Sequence, residues 1–507
     1  MTDSRRDWLY AGLICLFILV LSIGFFTTGV TNWGDDFAAY LNEGMAIADG
    51  RFEEQAVLNY EQHPSSLTKE AENGKLVYVW GYPLFQAAIY KLIGFDRVDY
   101  SSLIWYKIPH IFSLSIVAGV LYLFFRRRFK SDISAFLALL FCTSGDLFEV
   151  INRLYSDLPF LLLSFLTLIL MECYAEEEKW SLGIFYGIVL WLTHETRLNG
   201  FTICAVAVIG HILRKGRQLL DKKTLCHSLM PYVVFIILTV ASEHLWLAPA
   251  TLNLSDVGTA SSAENSKNVH YYWKLIRDYL SDLPGMRIPA VGYAAVVFDI
   301  IGLVRKGIKK ENLHLTLLML GTLAVLVMLP YREGLRYLYS ILPILLMYMV
   351  YGVQTVFHLL QKGAEKKHFL KKVETVCVIV TCVVAAEMLF FSIAAQITRD
   401  YINLTHWDEK DEYDVYCDEA IETYRFIQNN TPEDAVIAFA KPRALYLNTQ
   451  RRSFRPDIND HEIMNADYFL YCKLKYGDFP KVDPESVPVE SIMDNEWFTL
   501  YEVQKDG

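Results

Sequence analysis

Three aspartates and three arginines stand out in this sequence because their side chains could carry acid–base and phosphate chemistry. Asp35 and Asp36 form an acidic pair, and Asp157 lies in a later polar segment. A carboxylate can accept a proton from a hydroxyl group, and a guanidinium can hold a phosphate through paired hydrogen bonds. A membrane enzyme with a phosphate-bearing substrate at headgroup level needs both groups. The candidate cations are Arg197, Arg332 and Arg336.

The acidic pair opens a segment with helical periodicity. Its apolar residues recur every three or four positions and form one stripe, at Phe37, Leu41, Met45 and Ala48. Such a stripe suits a helix that lies on a membrane surface, with Gly50 as its end. Asp36 and Tyr40 share a different face. A purely structural interpretation is that Asp35 is the N-cap and Asp36 a favourable first-turn acid.

Two further segments bring polar groups to the ends of apolar helices. The aromatic run that contains Tyr82 leads into a helix at 84–94, which is too short to span a membrane. Asp157 begins an apolar stretch, where a carboxylate is costly unless it faces a cavity. A first-turn acid at the water boundary is the simpler interpretation of Asp157.

The remaining candidates lie in two short turns between apolar stretches. His194, Glu195 and Arg197 follow one another at the end of a predicted span and could also be an ordinary polar turn. Arg332 and Arg336 lie in the turn at 331–336. This turn is predicted to be external, where cations are disfavoured, and that raises the chance that both arginines have a function.

The composition indicates that a body of membrane-spanning helices must position these residues. Of 507 residues, 53% are hydrophobic and only 21% are charged, so an ordinary soluble enzyme is excluded. The apolar residues form about eleven blocks that could cross a membrane. These predicted spans are 9–30, 103–125, 132–150, 154–174, 181–195, 199–213, 228–250, 287–304, 313–330, 337–360 and 373–398.

Lys and Arg cluster in alternate loops, at 126–130, 214–223, 305–310 and 362–372. The positive-inside rule makes these loops and the N-terminus cytoplasmic. We therefore predict a multi-pass cell-membrane module over 1–398 with an external loop at 31–102. Residues 399–507 carry 23 acidic and 12 basic side chains and form an extracytoplasmic soluble domain. No basic cluster suggests nucleic acid.

The soluble domain is predicted to be a small α/β layer. Its apolar patterns predict helices at 420–427 and 444–447 and strands at 435–439, 468–471 and 498–503. Cys417 and Cys472 lie in this domain and could pair in an oxidising compartment. No Cys/His spacing is typical of a zinc site.

The order of these motifs resembles the GT-C superfamily of glycosyltransferases, which use polyprenyl-phosphate sugars, of the protein mannosyltransferase and aminoarabinose transferase type. The resemblance covers about residues 1–350. Besides the pair Asp35-Asp36, the matching segments are Gly81-Tyr82-Pro83-Leu84, Tyr155-Ser156-Asp157-Leu158-Pro159, Thr196-Arg197-Leu198-Asn199-Gly200 and Arg336-Tyr337. Many relatives have Asp-Glu at the acidic pair, so this sequence departs there.

The resemblance implies an α-helical polytopic membrane protein that moves a sugar to an acceptor on the extracytoplasmic face with inversion. It implies Asp36, or else Asp35, as the base. Asp157 would position the acceptor or a metal ion, and Arg197, Arg336 and Arg332 would hold the lipid phosphate. Tyr40, Tyr82, His194 and Glu195 are further candidates for substrate binding. No cofactor is required, although a divalent Mg or Mn ion is compatible with the acids.

The implied partners are a polyprenyl-phosphate-linked sugar, membrane lipid, and a lipid, glycan or protein acceptor. A transporter or lipid flippase is the alternative, since it shares many spans and buried ions. The sequence lacks the inverted repeat and paired broken helices of many transporters. A receptor with the acidic tail as its ligand domain is a third class.

Overall fold

The computed structural model describes residues 3–26, 33, 35–62, 79–94, 102–197, 199–245, 261–282, 289–329, 332, 334–364, 368–405, 414–456, 460–474 and 484–505. Most of them are helical. The first nine helices are α1 (Asp3–Leu21), α2 (Asp36–Asp49), α3 (Phe52–Glu61), α4 (Gly81–Ile93), α5 (Leu103–Arg126), α6 (Ser131–Cys142), α7 (Gly145–Arg153), α8 (Asp157–Glu176) and α9 (Trp180–Thr196). The others are α10 (Gly200–Lys215), α11 (Lys222–Leu245), α12 (Ser262–Asp282), α13 (Pro289–Gly302), α14 (Leu313–Met328), α15 (Leu342–Ala364), α16 (His368–Thr405), α17 (Asp418–Asn430) and α18 (Pro442–Thr449).

Short turns of other helix types complete the helical body. One turn, Leu303–Gly307, is a π-helix that continues α13. The 3₁₀ turns are Ile23–Phe26, Gly216–Leu220, Leu335–Leu338, Asp460–Asn465 and Pro484–Ser486.

The helical body is that of a multi-pass membrane protein. Within the described ranges, five helices are long and apolar enough to cross a membrane, namely α5, α8, α11, α15 and α16. The count rises to six if the bent pair α6 and α7 is one broken span. The predicted number of eleven is therefore not confirmed. Helices α9, α10, α13 and α14 have only 14 to 17 residues, and 17 residues rise about 25 Å, less than a typical hydrocarbon core.

Two regions differ in shape from the sequence prediction. The span predicted at 132–150 is broken into α6 and α7, whose axes differ by 52°. The loop predicted at 251–286 contains the 21-residue helix α12. Helix α12 is polar on average and amphipathic, so no hydropathy window marks it, although it packs against α13 and α14.

The C-terminal elements form one five-stranded sheet. Its strands are β1 (Val436–Ala438), β2 (Arg452–Phe454), β3 (Tyr468–Cys472), β4 (Val489–Asp494) and β5 (Phe498–Val503), in the order β2-β1-β3-β5-β4. Strand β1 pairs in parallel with β2 and β3, whereas β5 pairs antiparallel with β3 and β4. The predicted helices and strands of this region are confirmed, and β2 and β4 were missed. Cys417 and Cys472 are both buried free thiols.

Helix α2 is buried beneath the C-terminal sheet and its helices. Its stop is confirmed, because Gly50 has a left-handed φ of 71° and its N–H caps the helix. The apolar stripe, however, does not face a membrane surface. Phe37 and Leu41 are buried in one core with Phe439, Leu445 and other residues of the tail. The membrane-surface prediction for the stripe is therefore wrong, since a second apolar surface of the same chain covers it.

Candidate active site

The acidic pair lies at the start of α2, where two arginines from distant parts of the chain reach it. Asp36 Oδ2 lies 3.3 Å from Arg336 Nη2. Asp36 Oδ1 lies 3.8 Å from Arg443 Nη1. Helix α2 supplies Asp36, the 3₁₀ turn Leu335–Leu338 supplies Arg336, and α18 supplies Arg443. We call these three residues the acid–arginine site.

The two neighbouring aspartates have different environments. The Asp36 side chain is 41% exposed, whereas that of Asp35 is 17% exposed. Asp35 Oδ1 accepts a hydrogen bond from the backbone N–H of Ala444, at 3.0 Å. Asp35 makes no side-chain cap to its own helix. Asp35 thus occupies the N-cap position of α2, as the structural interpretation expected, but its carboxylate joins the helix to the start of α18.

Arg443 is the site residue that the sequence analysis missed. Its guanidinium is buried and also lies 3.9 Å from Asp35 Oδ2, while its carbonyl accepts a hydrogen bond from Asn42. Arg443 is the second residue of α18, where the helix dipole disfavours a cation. An arginine in the first turn of a predicted helix could have identified Arg443 as a candidate from the sequence. Its charge is unfavourable at that position unless an acid from another part of the chain pairs with it.

A second ion pair lies beside the acid–arginine site. Asp157, at the start of α8, is buried, and its Oδ1 lies 2.7 Å from Arg197 Nη1. Arg197 also donates to the hydroxyl of Ser156, which lies 3.5 Å from the Tyr40 hydroxyl. Tyr40 is one helical turn after Asp36. The sequence motifs around 36, 157 and 197 are therefore brought together.

Aromatic rings connect the two ion pairs. The ring of Tyr337 lies 5.1 Å from the Arg197 guanidinium and 5.3 Å from that of Arg336. Arg336 also lies 4.9 Å from the ring of Tyr155. Contact with the shared ring of Tyr337 holds the two guanidinium groups close to each other.

Behind Tyr40 lies a buried Tyr–His pair. The rings of Tyr40 and Tyr82 meet edge to face at 4.8 Å. The Tyr82 hydroxyl lies 2.7 Å from Nε2 of His110 on α5. Nδ1 of His110 lies 3.0 Å from the carbonyl oxygen of Tyr106, and Nε2 lies 3.1 Å from that of Tyr155, so each ring nitrogen faces a backbone acceptor. Burial raises the pKa of Tyr82 well above its usual value, which keeps the phenol protonated.

Three sequence candidates do not contact the acids. His194 Nδ1 lies 3.1 Å from Glu195 Oε1, so these two residues pair with each other. Arg332 donates to Asn268 of α12 at 2.9 Å and lies over the ring of Tyr271. Arg332 therefore ties its turn to α12.

The residues at the acids do not suit a divalent cation. Within the described part of the chain, no three His, Cys, Asp or Glu side chains come together as a metal site requires. Asp157 Oδ2 is buried without a hydrogen-bond partner, but its nearest charged partner is Arg197. The charged groups that pair with Asp36 and Asp157 in the described part of the chain are guanidinium groups.

Comparison with known proteins gives the fold. The sequence matches no protein-family model and no curated protein. The structure resembles ArnT from Cupriavidus metallidurans bound to undecaprenyl phosphate, with a TM-score of 0.56 and 10% identity over 99% of this chain and 98% of that one. It also resembles the oligosaccharyltransferase AglB from Archaeoglobus fulgidus, in complex with an inhibitory peptide and a dolichol-phosphate. There the TM-score is 0.57, with 10% identity over 93% of this chain and 70% of that one.

The chain shares its fold with ArnT and AglB. The resemblance predicted from the sequence motifs is thereby confirmed at the level of the fold. A second AglB structure from the same archaeon, a complex with Zn and sulfate, matches with a TM-score of 0.51. At 10% identity the likeness shows the fold alone, and the chemistry has to be argued from the residues of this chain.

Proposed function

We propose that this protein is an integral membrane glycosyltransferase that takes a sugar from a polyprenyl-phosphate donor. The observation that carries the proposal is the acid–arginine site, in which a partly exposed aspartate lies between two guanidinium groups. ArnT binds undecaprenyl phosphate and AglB binds dolichol-phosphate, and both share this fold. A lipid phosphate is therefore the anion that we assign to the arginines.

The proposed reaction is a single inverting displacement. The acceptor hydroxyl oxygen forms a bond to the anomeric carbon as the bond from that carbon to the phosphate oxygen breaks. The electron pair of the broken bond stays on the phosphate, which leaves with its lipid. The hydroxyl proton passes to Asp36. No other reactant is required.

Asp36 suits the role of base better than Asp35. A base must reach the proton that it removes, and Asp36 is the more exposed carboxylate. Asp35 is already engaged by the backbone of Ala444. We assign Asp35 to holding the tail domain against α2 and Asp36 to proton transfer.

Arg336 and Arg197 would stabilise the charge of the leaving phosphate. In the free enzyme Arg336 pairs with Asp36. A bound phosphate would take over Arg336 and leave the Asp36 carboxylate available to the acceptor hydroxyl. Preorganised cations lower the barrier because charge grows on the phosphate as the bond breaks. Asp157 would then be a positioning residue that orients Arg197.

The membrane orientation is part of the proposal. The Lys and Arg clusters of the alternate loops would face the cytoplasm, and the acid–arginine site and the tail domain the external side. The acceptor would then be a lipid, glycan or protein on that external side.

The test compares Asp36→Asn with Asp49→Asn, which makes the same change at the exposed far end of α2. With purified protein and a labelled lipid-phosphate sugar, Asp36→Asn should lower the transfer rate by about a thousandfold, whereas Asp49→Asn should keep it within about twofold. Full transfer by Asp36→Asn would remove Asp36 as the base. Sugar transport into liposomes without release from the lipid would favour the transporter alternative.

A further inference from the structure

A basic cavity lies at the end of the helical body opposite the acid–arginine site. Its volume is about 420 Å³, and it lies between the π turn after α13 and the last turns of α15. Leu359 of its lining is 17 residues beyond Leu342, the start of α15, which corresponds to about 25 Å along that helix. The polar lining residues are Arg305, Lys306, Lys309, Tyr351, Gln354, Thr355 and His358.

The positive charge of this cavity is not balanced by its own lining. None of the lining residues is acidic. Across the described ranges, Arg305 and Lys309 form no salt bridge, and Lys306 lies over the ring of Tyr351 at 5.4 Å. The exposed Glu311 and the buried Glu172 act on Tyr351 through their charges, and neither lines the cavity. The lining therefore offers three cations to an anion.

Other cations at the same end are neutralised internally. Arg127, Arg128 and Arg214 converge on the buried carboxylate of Glu172. Arg127 Nε lies 2.6 Å and Arg214 Nη2 lies 2.8 Å from its oxygens. At this end of the helical body, Arg127, Arg128 and Arg214 thus pair with a buried acid, whereas the cations that line the cavity do not.

The backbone at the cavity is fixed in an uncommon conformation. Arg305 and Lys306 lie in the π turn Leu303–Gly307, and such turns often occur at functional sites. The carbonyl of Gly307 accepts a hydrogen bond from Thr316, whose hydroxyl lies 2.7 Å from that of Tyr348. This buried network holds the backbone of the π turn, which carries both cations.

An apolar surface leads directly to the cavity. Val297, Ile300, Val304 and Ile308 follow one face of α13 and the π turn and are 53% to 70% exposed. Leu359, in the lining itself, is 63% exposed. A ligand with a phosphate in the cavity could lay acyl chains along this stripe.

We propose that this cavity binds the phosphate headgroup of an anionic phospholipid of the membrane leaflet at that end. Basic pockets at helix ends recognise such headgroups, and the volume lies within the range of ligand sites. The exposed apolar side chains along α13 favour a lipid over a soluble phosphate ester. Both kinds of ligand carry the phosphate that the cations would bind. The proposal is independent of the glycosyltransferase assignment, because it involves none of its residues.

The test uses the full-length protein in detergent and measures bound lipid by native mass spectrometry. Phosphatidylglycerol should bind and phosphatidylcholine should not. The double variant Arg305→Gln/Lys309→Gln should weaken phosphatidylglycerol binding about tenfold or more, at roughly one kcal/mol per cation. The control Lys222→Gln/Lys223→Gln removes two exposed cations of α11 and should leave binding unchanged.

Three outcomes would overturn the proposal. Equal losses in both double variants would mean that only overall charge matters. Unchanged binding in Arg305→Gln/Lys309→Gln would mean that the lipid binds elsewhere. Displacement of phosphatidylglycerol by glycerol phosphate at equal concentration would mean that the acyl chains contribute nothing and the ligand is a soluble phosphate ester. The variant Arg305→Lys/Lys309→Arg keeps both charges and should retain binding, which excludes a folding defect.

Discussion

Asp35 and Asp36 are adjacent in the chain, yet their carboxyl groups have different environments in the structure. Burial raises the pKa of Asp35, and the charge of Arg443 and the hydrogen bond from Ala444 offset part of that effect. Asp36 is more exposed and faces two guanidinium groups. One position along the chain thus separates a mostly buried carboxyl group that bonds to the backbone of α18 from a more exposed one beside two arginines.

The raised pKa of Asp35 predicts a pH dependence of stability. Between the unfolded pKa of about 4 and the higher folded pKa, the folded protein binds more protons, so stability falls as pH rises. Asp35→Asn removes this titration. The thermal midpoint of the wild type relative to Asp35→Asn should fall as the pH rises above about 4, as measured by scanning fluorimetry in detergent. A difference that stays constant or grows with pH would contradict the prediction.

At the scale of elements, α18 decides whether the acid–arginine site is complete. Two arginines of the tail reach the first loop: Arg443 contacts both aspartates, whereas Arg452 pairs with Glu61 of α3 at the surface. The side chain of Arg443 is buried, whereas that of Arg452 is exposed. Exposed ion pairs contribute about 0 to 1 kcal/mol, whereas an unpaired buried charge costs much more.

These two arginines form a matched comparison. Arg443→Gln should lower sugar transfer by about tenfold to a hundredfold, because it removes one cation beside Asp36 and loosens α18. Arg452→Gln removes the same charge from the same domain and should keep transfer within about twofold. Transfer rates of the two purified variants check this. Equal losses would mean that Arg443 has no special role.

Helix α13 packs against α15 through two glycines at the closest approach. A Cβ on Gly302 would lie 1.8 Å from the carbonyl oxygen of Tyr348, and one on Gly352 would lie 1.8 Å from that of Phe298. No side chain fits there, so the backbones touch as in other small-residue contacts of membrane helices. This contact places the π turn beside the end of α15.

Gly302→Ala should therefore force α13 and α15 apart. We expect it to lower stability by about 1 to 3 kcal/mol or more, as overpacking does. Gly321 of α14 has no atom near the position of its missing Cβ, and Gly321→Ala should be neutral or slightly stabilising. Thermal midpoints in detergent distinguish the two variants, and equal midpoints would show that the α13–α15 contact can relax.

At the scale of the whole molecule, the tail domain and the first loop share one hydrophobic core. The ring of Trp33 lies 6.0 Å from that of Phe439 and 5.7 Å from that of Phe498. Lys107 of α5 and Asp414 of the tail are both buried and attract each other. The tail is thus part of the wall that surrounds α2.

Truncation tests this shared core. Removal of 406–507 should expose Phe37 and Leu41, so limited proteolysis should cut within α2 to α4 at protease concentrations that leave the full chain intact. The transmembrane helices should remain resistant in both proteins. Unchanged protection of the first loop would mean that α2 is stable without its cover.

The sequence alone determined the membrane character, the helix–strand pattern of the tail, the stop at Gly50 and the acids and arginines that could do chemistry. These features depend on local periodicity, composition and turn residues, which can be read directly from the amino-acid sequence. The GT-C resemblance followed because the order of polar motifs relative to apolar helices is also a linear property.

Only the tertiary structure decided which charges meet. Arg443 pairs with Asp36 across 407 positions of the chain, and its position within a small α/β domain gives no sign of that partner. Arg332 and Arg336 are four residues apart, yet one contacts α12 and the other the acid–arginine site. Hydropathy could not reveal that α2 is covered by the tail, because an apolar stripe packs equally well against lipid or protein. Those choices depend on long-range packing, which local pattern does not encode.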